Sequence, residues 1–249
     1  MTTHSPEPSP NAQIVPDYIR PAVILCCGEN KATFVVACLS AGLPVAKPAS
    51  EFRSYTLWTL PDVTVILAPI GTGALEPLLY ELLSVGKVER MVLVGTAGRL
   101  SQGQVPLGTA FPIAEASLSG TGLDREIPDQ PLKPCWPEPL TTPTASIVSS
   151  DFYYGFSPAT KPGDYRHRLP CLRKEFERLS ASVDLVDMEV GQFYALCRLI
   201  PEKPGLNFLA IKGASNGVEN HGAQNTHAPS VLLHCLIKAV TALGLNPAF

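Results

Sequence analysis

The sequence predicts one α/β domain, and three observations carry that reading. The chain has 249 residues, a length that suits one large domain better than two small ones. Short continuous apolar runs, such as 22–27 and 91–94, recur along it and have the composition of strands covered on both faces. Several run into a glycine-containing turn and then into apolar residues at helical spacing, which is how α/β units begin.

Each element follows in order. Residues 1–20 carry Pro6, Pro8, Pro10 and Pro16 with few large apolar side chains and read as a flexible tail, so the domain is expected over 21–249. The strand 22–27 meets Gly28, Glu29, Asn30 and Lys31, then a helix over 32–40. A strand is expected at 53–60, a turn at Pro61 and Asp62, and another strand at 63–69. Gly71, Thr72 and Gly73 lead into a helix over 74–84. The strand 91–94 ends in Gly95, Thr96, Ala97 and Gly98. Loops of this kind let backbone N–H groups approach an anion or a sugar closely; tight strand-to-helix turning is the ordinary alternative.

Residues 105–144 hold eight prolines, enough to exclude a long helix. A strand fits 109–118, and about 119–145 reads as a long Pro-rich loop, with Trp136 as the residue that packs on something. A strand at 146–151 precedes Phe152, Tyr153, Tyr154 and Phe156, aromatics that suit a planar ligand or a subunit contact. A solvated helix is expected over 169–180. Val183, Leu185 and Val186 read as a closing strand, followed by Asp187, Met188 and Glu189 and a helix over 190–199. Such a strand end is where an α/β sheet opens its ligand crevice. A carboxylate among apolar neighbours is costly unless it binds something, although an acid at a helix start is also favoured by the dipole. The strand 206–212 runs into Gly213, Ala214, Ser215, Asn216 and Gly217, and an apolar helix covers 229–243.

Composition narrows the class. With 45% hydrophobic and 16% charged residues, the chain buries a large core beneath a lightly charged surface, which suits a homo-oligomer. A net charge of -3 gives no reason to expect nucleic acid or an anionic membrane as partner. Seven cysteines, odd in number and never spaced as a metal ribbon, read as reduced core residues. No secretory signal pattern or transmembrane-length apolar run is visible, so a cytoplasmic location is expected. His221 and His227 flank a loop far from any cysteine; no metal or other cofactor is expected.

Four segments, taken in order, carry a resemblance. They are Ile70-Gly71-Thr72-Gly73, Val94-Gly95-Thr96-Ala97-Gly98, Ser149-Ser150-Asp151-Phe152-Tyr153-Tyr154, and Asp187-Met188-Glu189. Over most of residues 22–243 the chain resembles the nucleoside phosphorylase superfamily, which includes purine nucleoside phosphorylases, uridine phosphorylase and methylthioadenosine/adenosylhomocysteine nucleosidase. The resemblance implies a twisted mixed β-sheet, partly barrel-like and flanked by helices, in a dimer, trimer or hexamer. It implies that Glu189 accepts hydrogen bonds from ribose hydroxyls, that Met188 packs on the sugar and that Tyr153 stacks on the base. Phe152, Ser215, Thr96 and Gly98 complete the implied ribose and base contacts. A fixed carboxylate near the ribose stabilises the positive charge that builds as an N-ribosidic bond breaks.

Asn216 stands where nucleosidases of this family carry an Asp general acid, and an amide cannot deliver a proton. General acid catalysis is worth ~10²–10⁴-fold, so this favours a base that leaves more easily than adenine. For the nucleophile, Gly28, Lys31, Arg53, Gly71 and Thr96 are candidates for holding phosphate. Glu29 lies near the place of the nucleosidase base, while Leu93 stands where many phosphorylases carry Arg. Loss of one guanidinium argues against tight phosphate binding. The expected function is cleavage of a purine-type nucleoside to free base, with Glu189, Asn216 and Glu29 as catalytic residues and hydrolysis favoured by a small margin. Phosphorolysis, and a nucleoside-binding protein of the same fold without the chemistry, are the alternatives.

Overall fold

The computed structural model describes residues 14–51, 55–100, 104–127, 131–140, 142–156, 170–201, 205–218 and 227–246. The elements are β1 (Ala22–Cys27), α1 (Lys31–Ser40), β2 (Thr56–Thr59), β3 (Val63–Ala68), α2 (Thr72–Ser84), β4 (Arg90–Arg99) and β5 (Ala110–Leu118). They continue with β6 (Ala145–Ser149), α3 (Pro170–Ser182), β7 (Leu185–Asp187), α4 (Val190–Leu199), β8 (Asn207–Gly217) and α5 (Ala228–Ala242).

Among the described residues the strands form one mixed sheet in the order β2-β3-β1-β4-β7-β6-β5-β8, with β4 also paired to β8. That last pairing closes β4, β7, β6, β5 and β8 into a ring, and β1, β3 and β2 extend from it as a wing. The device that allows both is a change of partner along β4. Its first half, Arg90 to Val94, lies beside β1, whereas Gly98 and Arg99 lie beside β7. On its other edge β8 follows it from Arg90↔Asn207 to Arg99↔Gly217, with a register shift at Ala97/Gly98.

Side-chain alternation sorts the core into two layers. Val23 and Leu25 of β1 join Leu75, Leu78, Leu79 and Leu82 of α2 and Phe193 and Tyr194 of α4. Ile24 and Cys26 face the other way, onto Phe34 and Cys38 of α1 and Val231, Leu232 and Cys235 of α5. A smaller cluster seats Phe176 and Leu179 of α3 against Phe156, Val148 and Val186.

Three sequence expectations change. Residues 95–98 and 213–217 are strand and not loop, because the last residues of β4 and β8 pair with each other. The tail expected over 1–20 ends earlier: Ile14 and Ile19 are buried, at 3% and 2% exposure, and Pro16–Tyr18 is a short 3-10 turn. Residues 1–13 lie outside the described residues, as do 128–130 and Thr141 of the Pro-rich segment. The described part of that segment is tied to the sheet by bridges Ala116↔Leu132 and Cys135↔Phe208. Its Trp136 packs beneath the Arg90 guanidinium at 4.7 Å.

The seat of α5 on β8 is tight. A Cβ on Gly213 would stand 1.8 Å from Val231 Cγ1. Gly213→Ala is therefore expected to destabilise the fold by about 1–3 kcal/mol in urea unfolding, and adding Val231→Ala should recover most of that loss.

Candidate active site

A cavity of about 530 Å³ opens where the loops after β1 and β3, the late strands β4 and β8, and the segments after β6 and β7 meet. It is lined by Gly28, Glu29, Thr96, Phe152, Tyr153, Met188, Glu189, Ser215 and Asn216 among the residues expected from sequence. Cys27, Ile70, Ala97, Asp151, Tyr154 and Asp187 line it as well.

Its floor is a buried charge cluster. Lys212 Nζ lies 3.0 Å from Asp187 Oδ2 and 3.3 Å from Glu189 Oε2, with all three side chains almost wholly shielded from solvent. The other Glu189 oxygen accepts from Gly71 N–H at 3.0 Å, so the carboxylate faces the N-terminus of α2 and its positive dipole end. Asp187 belongs to the neighbouring helix: its carboxylate accepts from Val190 N–H and from the Ser149 hydroxyl. Ser149 in turn accepts from Gly191 N–H at 2.8 Å. The helix-start acid at this strand end is thus Asp187, and Glu189 reaches across to a second helix.

Burial raises the Glu189 carboxyl above the usual range; Lys212 and the Gly71 N–H pull it back, and Asp187 pushes it further up. Burial works against the Lys212 ammonium, but the Asp187 and Glu189 carboxylates together outweigh it and hold the lysine firmly charged. Gly95 makes room for this cluster. Its φ of 153° is one that side chains rarely adopt, and a Cβ there would stand 3.3 Å from Lys212 Nζ.

A third carboxylate stands just past the end of β1. Glu29 Oε1 accepts from both Thr96 N–H, at 3.0 Å, and Thr96 Oγ1, at 2.8 Å. The donors that sequence assigned to an anion are therefore held by a carboxylate of the chain itself.

The third wall joins β8 to the aromatic turn. Ser215 Oγ is 3.0 Å from Asn216 Oδ1 and 3.3 Å from the Ala97 carbonyl. The Asn216 amide is hydrogen-bonded to the Tyr153 phenol. Tyr153 reaches this point because Gly98 lacks a side chain: a Cβ there would lie 2.5 Å from the phenol oxygen. Phe152 packs over Gly120 on the flank of the turn, and Met188 Cε lies beside Gly71. At the rim, Thr72 Oγ1 donates to Asp151 Oδ1 at 2.9 Å and accepts from Gln192 Nε2 at 3.0 Å.

One expected anion ligand is not gathered here. Lys31 begins α1 and pairs with Glu51 on the surface, outside the residues that line the cavity. Arg53 lies outside the described residues. Lys212 is the residue that sequence reading passed over. The available signal was an ammonium set inside the apolar run that begins at Phe208, a position that demands buried counter-charges.

Neither a protein-family model nor a curated protein sequence matches the chain. Solved structures do match it in fold. A purine nucleoside phosphorylase from Toxoplasma gondii, in complex with immucillin-H, is 19% identical with a TM-score of 0.67, covering 94% of both chains. A uridine phosphorylase from Vibrio fischeri gives 18% and 0.65, again over 94% of both. An MTA nucleosidase from Chlamydia trachomatis, bound to MTA, gives 16% and 0.53 over 88% of this chain and 95% of its own. The fold is thus the nucleoside phosphorylase-like one that the four sequence segments implied, with its partly closed barrel. No helix among the described residues is long and apolar enough to cross a membrane.

Lys212→Met leaves two buried carboxylates without their cation. It is expected to cost about 3–5 kcal/mol of stability in urea unfolding. The same change removes a charge that lowers the Glu189 pKa, so the carboxyl moves further up. Any activity that needs ionised Glu189 should then lose its acid limb at a pH higher by about one unit or more, read from the pH profile of kcat/KM. An acid limb that stays in place would show that Lys212 does not set the charge of Glu189.

Proposed function

We propose that the chain hydrolyses the N-ribosidic bond of a purine-type nucleoside, releasing the free base. The class of ligand is supported by the fold neighbours bound to immucillin-H and to MTA and by a carboxylate, Glu189, at the bottom of a nucleoside-sized cavity. The observation that carries the hydrolytic form is the hold of Glu29 on Thr96. A phosphate placed on those donors would have to displace a carboxylate and then sit beside it, like charge against like. Among the described residues that line the cavity, none is Arg or Lys. A neutral water suits this corner better, with Glu29 as its proton acceptor.

The reaction then runs as follows. The ribose hydroxyls donate to Glu189. As the bond from C1′ to the base breaks, its electron pair leaves with the base and positive charge spreads over the ribose ring. The buried carboxylate faces that charge and is worth more at this moment than in the ground state. Water forms the new bond to C1′ and passes its proton to Glu29.

One observation favours a second reading, a nucleoside-binding protein without the chemistry: each Glu189 oxygen already has a donor, Gly71 N–H on one and Lys212 on the other. Incubation with inosine, guanosine, adenosine, methylthioadenosine and uridine, with and without phosphate, separates the cases. Base release that needs no phosphate and falls ~10²–10⁴-fold in Glu29→Gln is the expected result. Release only with phosphate would make the chain a phosphorylase, and saturable binding without release would make it a binding protein.

A further inference from the structure

Breaking the bond from C1′ to a neutral base leaves the electron pair, and with it a negative charge, on the base. The cavity offers little to such a leaving group. The Asn216 amide has no proton to give, and burial pushes Tyr153 up to about 12, too weak an acid to deliver one near neutrality. The charge on the other walls has the wrong sign as well. One ammonium, Lys212, answers two carboxylates, Asp187 and Glu189. The donors to Glu29 are neutral, the Thr96 N–H and hydroxyl, and so is the Thr72 hydroxyl that donates to Asp151. Among the described residues that line the cavity, none is Arg or Lys. An anion departing into this space meets like charge on more than one side.

Asp151 stands exposed at the rim, yet it is fixed from the interior. Gln192, at 0% exposure, donates through Nε2 to Thr72 Oγ1, and that hydroxyl donates to Asp151 Oδ1. Phe152, Tyr153 and Tyr154 follow Asp151 directly and line the same cavity, with Tyr154 53% exposed. Aromatic surface attracts a quaternary nitrogen, and a cleft lined by carboxylates concentrates cations.

We propose that the nucleoside taken by this cavity carries a cationic base, quaternised at a ring nitrogen, and that the carboxylates of Asp151 and Glu29 draw it in. This rests on the hydrolytic reading above and names the substrate class of that same site. Such a base solves the leaving-group problem without an acid. When the bond from C1′ to nitrogen breaks, the electron pair passes to the cationic ring, which departs neutral and needs no proton. The positive charge moves onto the ribose, toward Glu189. Water then bonds to C1′ and gives its proton to Glu29. The ligand keeps one positive charge up to the transition state, so the negative cavity favours it throughout.

The test uses 7-methylguanosine and guanosine, which differ by one methyl group and one charge. Base release is followed without phosphate and slightly below neutrality, where the methylated base keeps its charge. The wild type is expected to show a KM for 7-methylguanosine lower by ~10-fold or more than for guanosine. Raising ionic strength from about 0.01 to about 0.15 M, which shortens the screening length from ~30 to ~8 Å, should erode that preference. Asp151→Asn is expected to raise KM by about 5-fold on 7-methylguanosine, in line with one charge acting across a cavity, and by under about 2-fold on guanosine. The methylated nucleoside is the more labile of the two, but neither salt nor Asp151→Asn alters that lability, so both comparisons read recognition. If Asp151→Asn does not fold, the salt response of the wild type decides. Cleavage of both nucleosides with matching KM values that ignore salt, or with equal losses in Asp151→Asn, overturns the cationic class and leaves the hydrolytic reading standing. A wild type that cleaves neither without phosphate overturns both.

Discussion

The ammonium of Lys212 between Asp187 and Glu189 is the interaction on which the site is built. Three charges this far from solvent are tolerated only when each has partners, and the surrounding structure supplies them. The N-terminus of α2 gives Glu189 a backbone donor through Gly71, and the N-terminus of α4 gives Asp187 another through Val190. Two helix dipoles thus converge on two carboxylates. Lys212 arrives from β8, whose long pairing with β4 closes the barrel, and Gly95 of β4 leaves the space for its ammonium. Barrel closure and charge cluster are consequently one construction: without the ring, the cation would not stand over the strand end of β7.

From this floor the cavity divides into walls of distinct character. Glu189 presents an anion held in place from both sides. Glu29 covers the Thr96 donors and sets like charge against any further anion at that corner. The Ser215, Asn216 and Tyr153 wall is polar but uncharged, with Ser215 Oγ held 3.0 Å from Asn216 Oδ1. Carboxylates at the floor and at one corner, opposite an uncharged polar wall, suit the proposed reaction, which passes through a positively charged ribose.

Much of this was legible in the residues. The apolar runs located the strands of the wing and the helices that cover it, because fully buried strands and helical stripes leave simple patterns. The segments around Gly71, Gly95, Ser149 and Asp187 pointed to the nucleoside phosphorylase-like fold, and Glu189, Thr96 and Asn216, all named from sequence, line one cavity. The late halves of β4 and β8 were misread as loops because glycine and serine weaken the strand signal, and only their mutual pairing makes them strands. Asp187 and Glu189 could not be told apart as cap and ligand group, since that depends on which helix end each meets. Lys31, next to the glycine turn in sequence, turns outward to Glu51, a direction set by the first turn of α1. The partners of Lys212 come from 23 and 25 residues earlier in the chain, and no local pattern joins them.

The proposed function turns on Glu189, set against Lys212, binding the hydroxyls of a ribose. Calorimetric titration with an inosine-like C-nucleoside, whose base is joined through carbon and is not released, measures this directly when compared with its 2′,3′-dideoxy counterpart. The wild type is predicted to bind the dideoxy compound about 10-fold more weakly or worse, the worth of a hydrogen bond to a charged group, and Glu189→Gln is predicted to narrow that difference sharply. Equal affinity of the wild type for the two compounds would contradict the account.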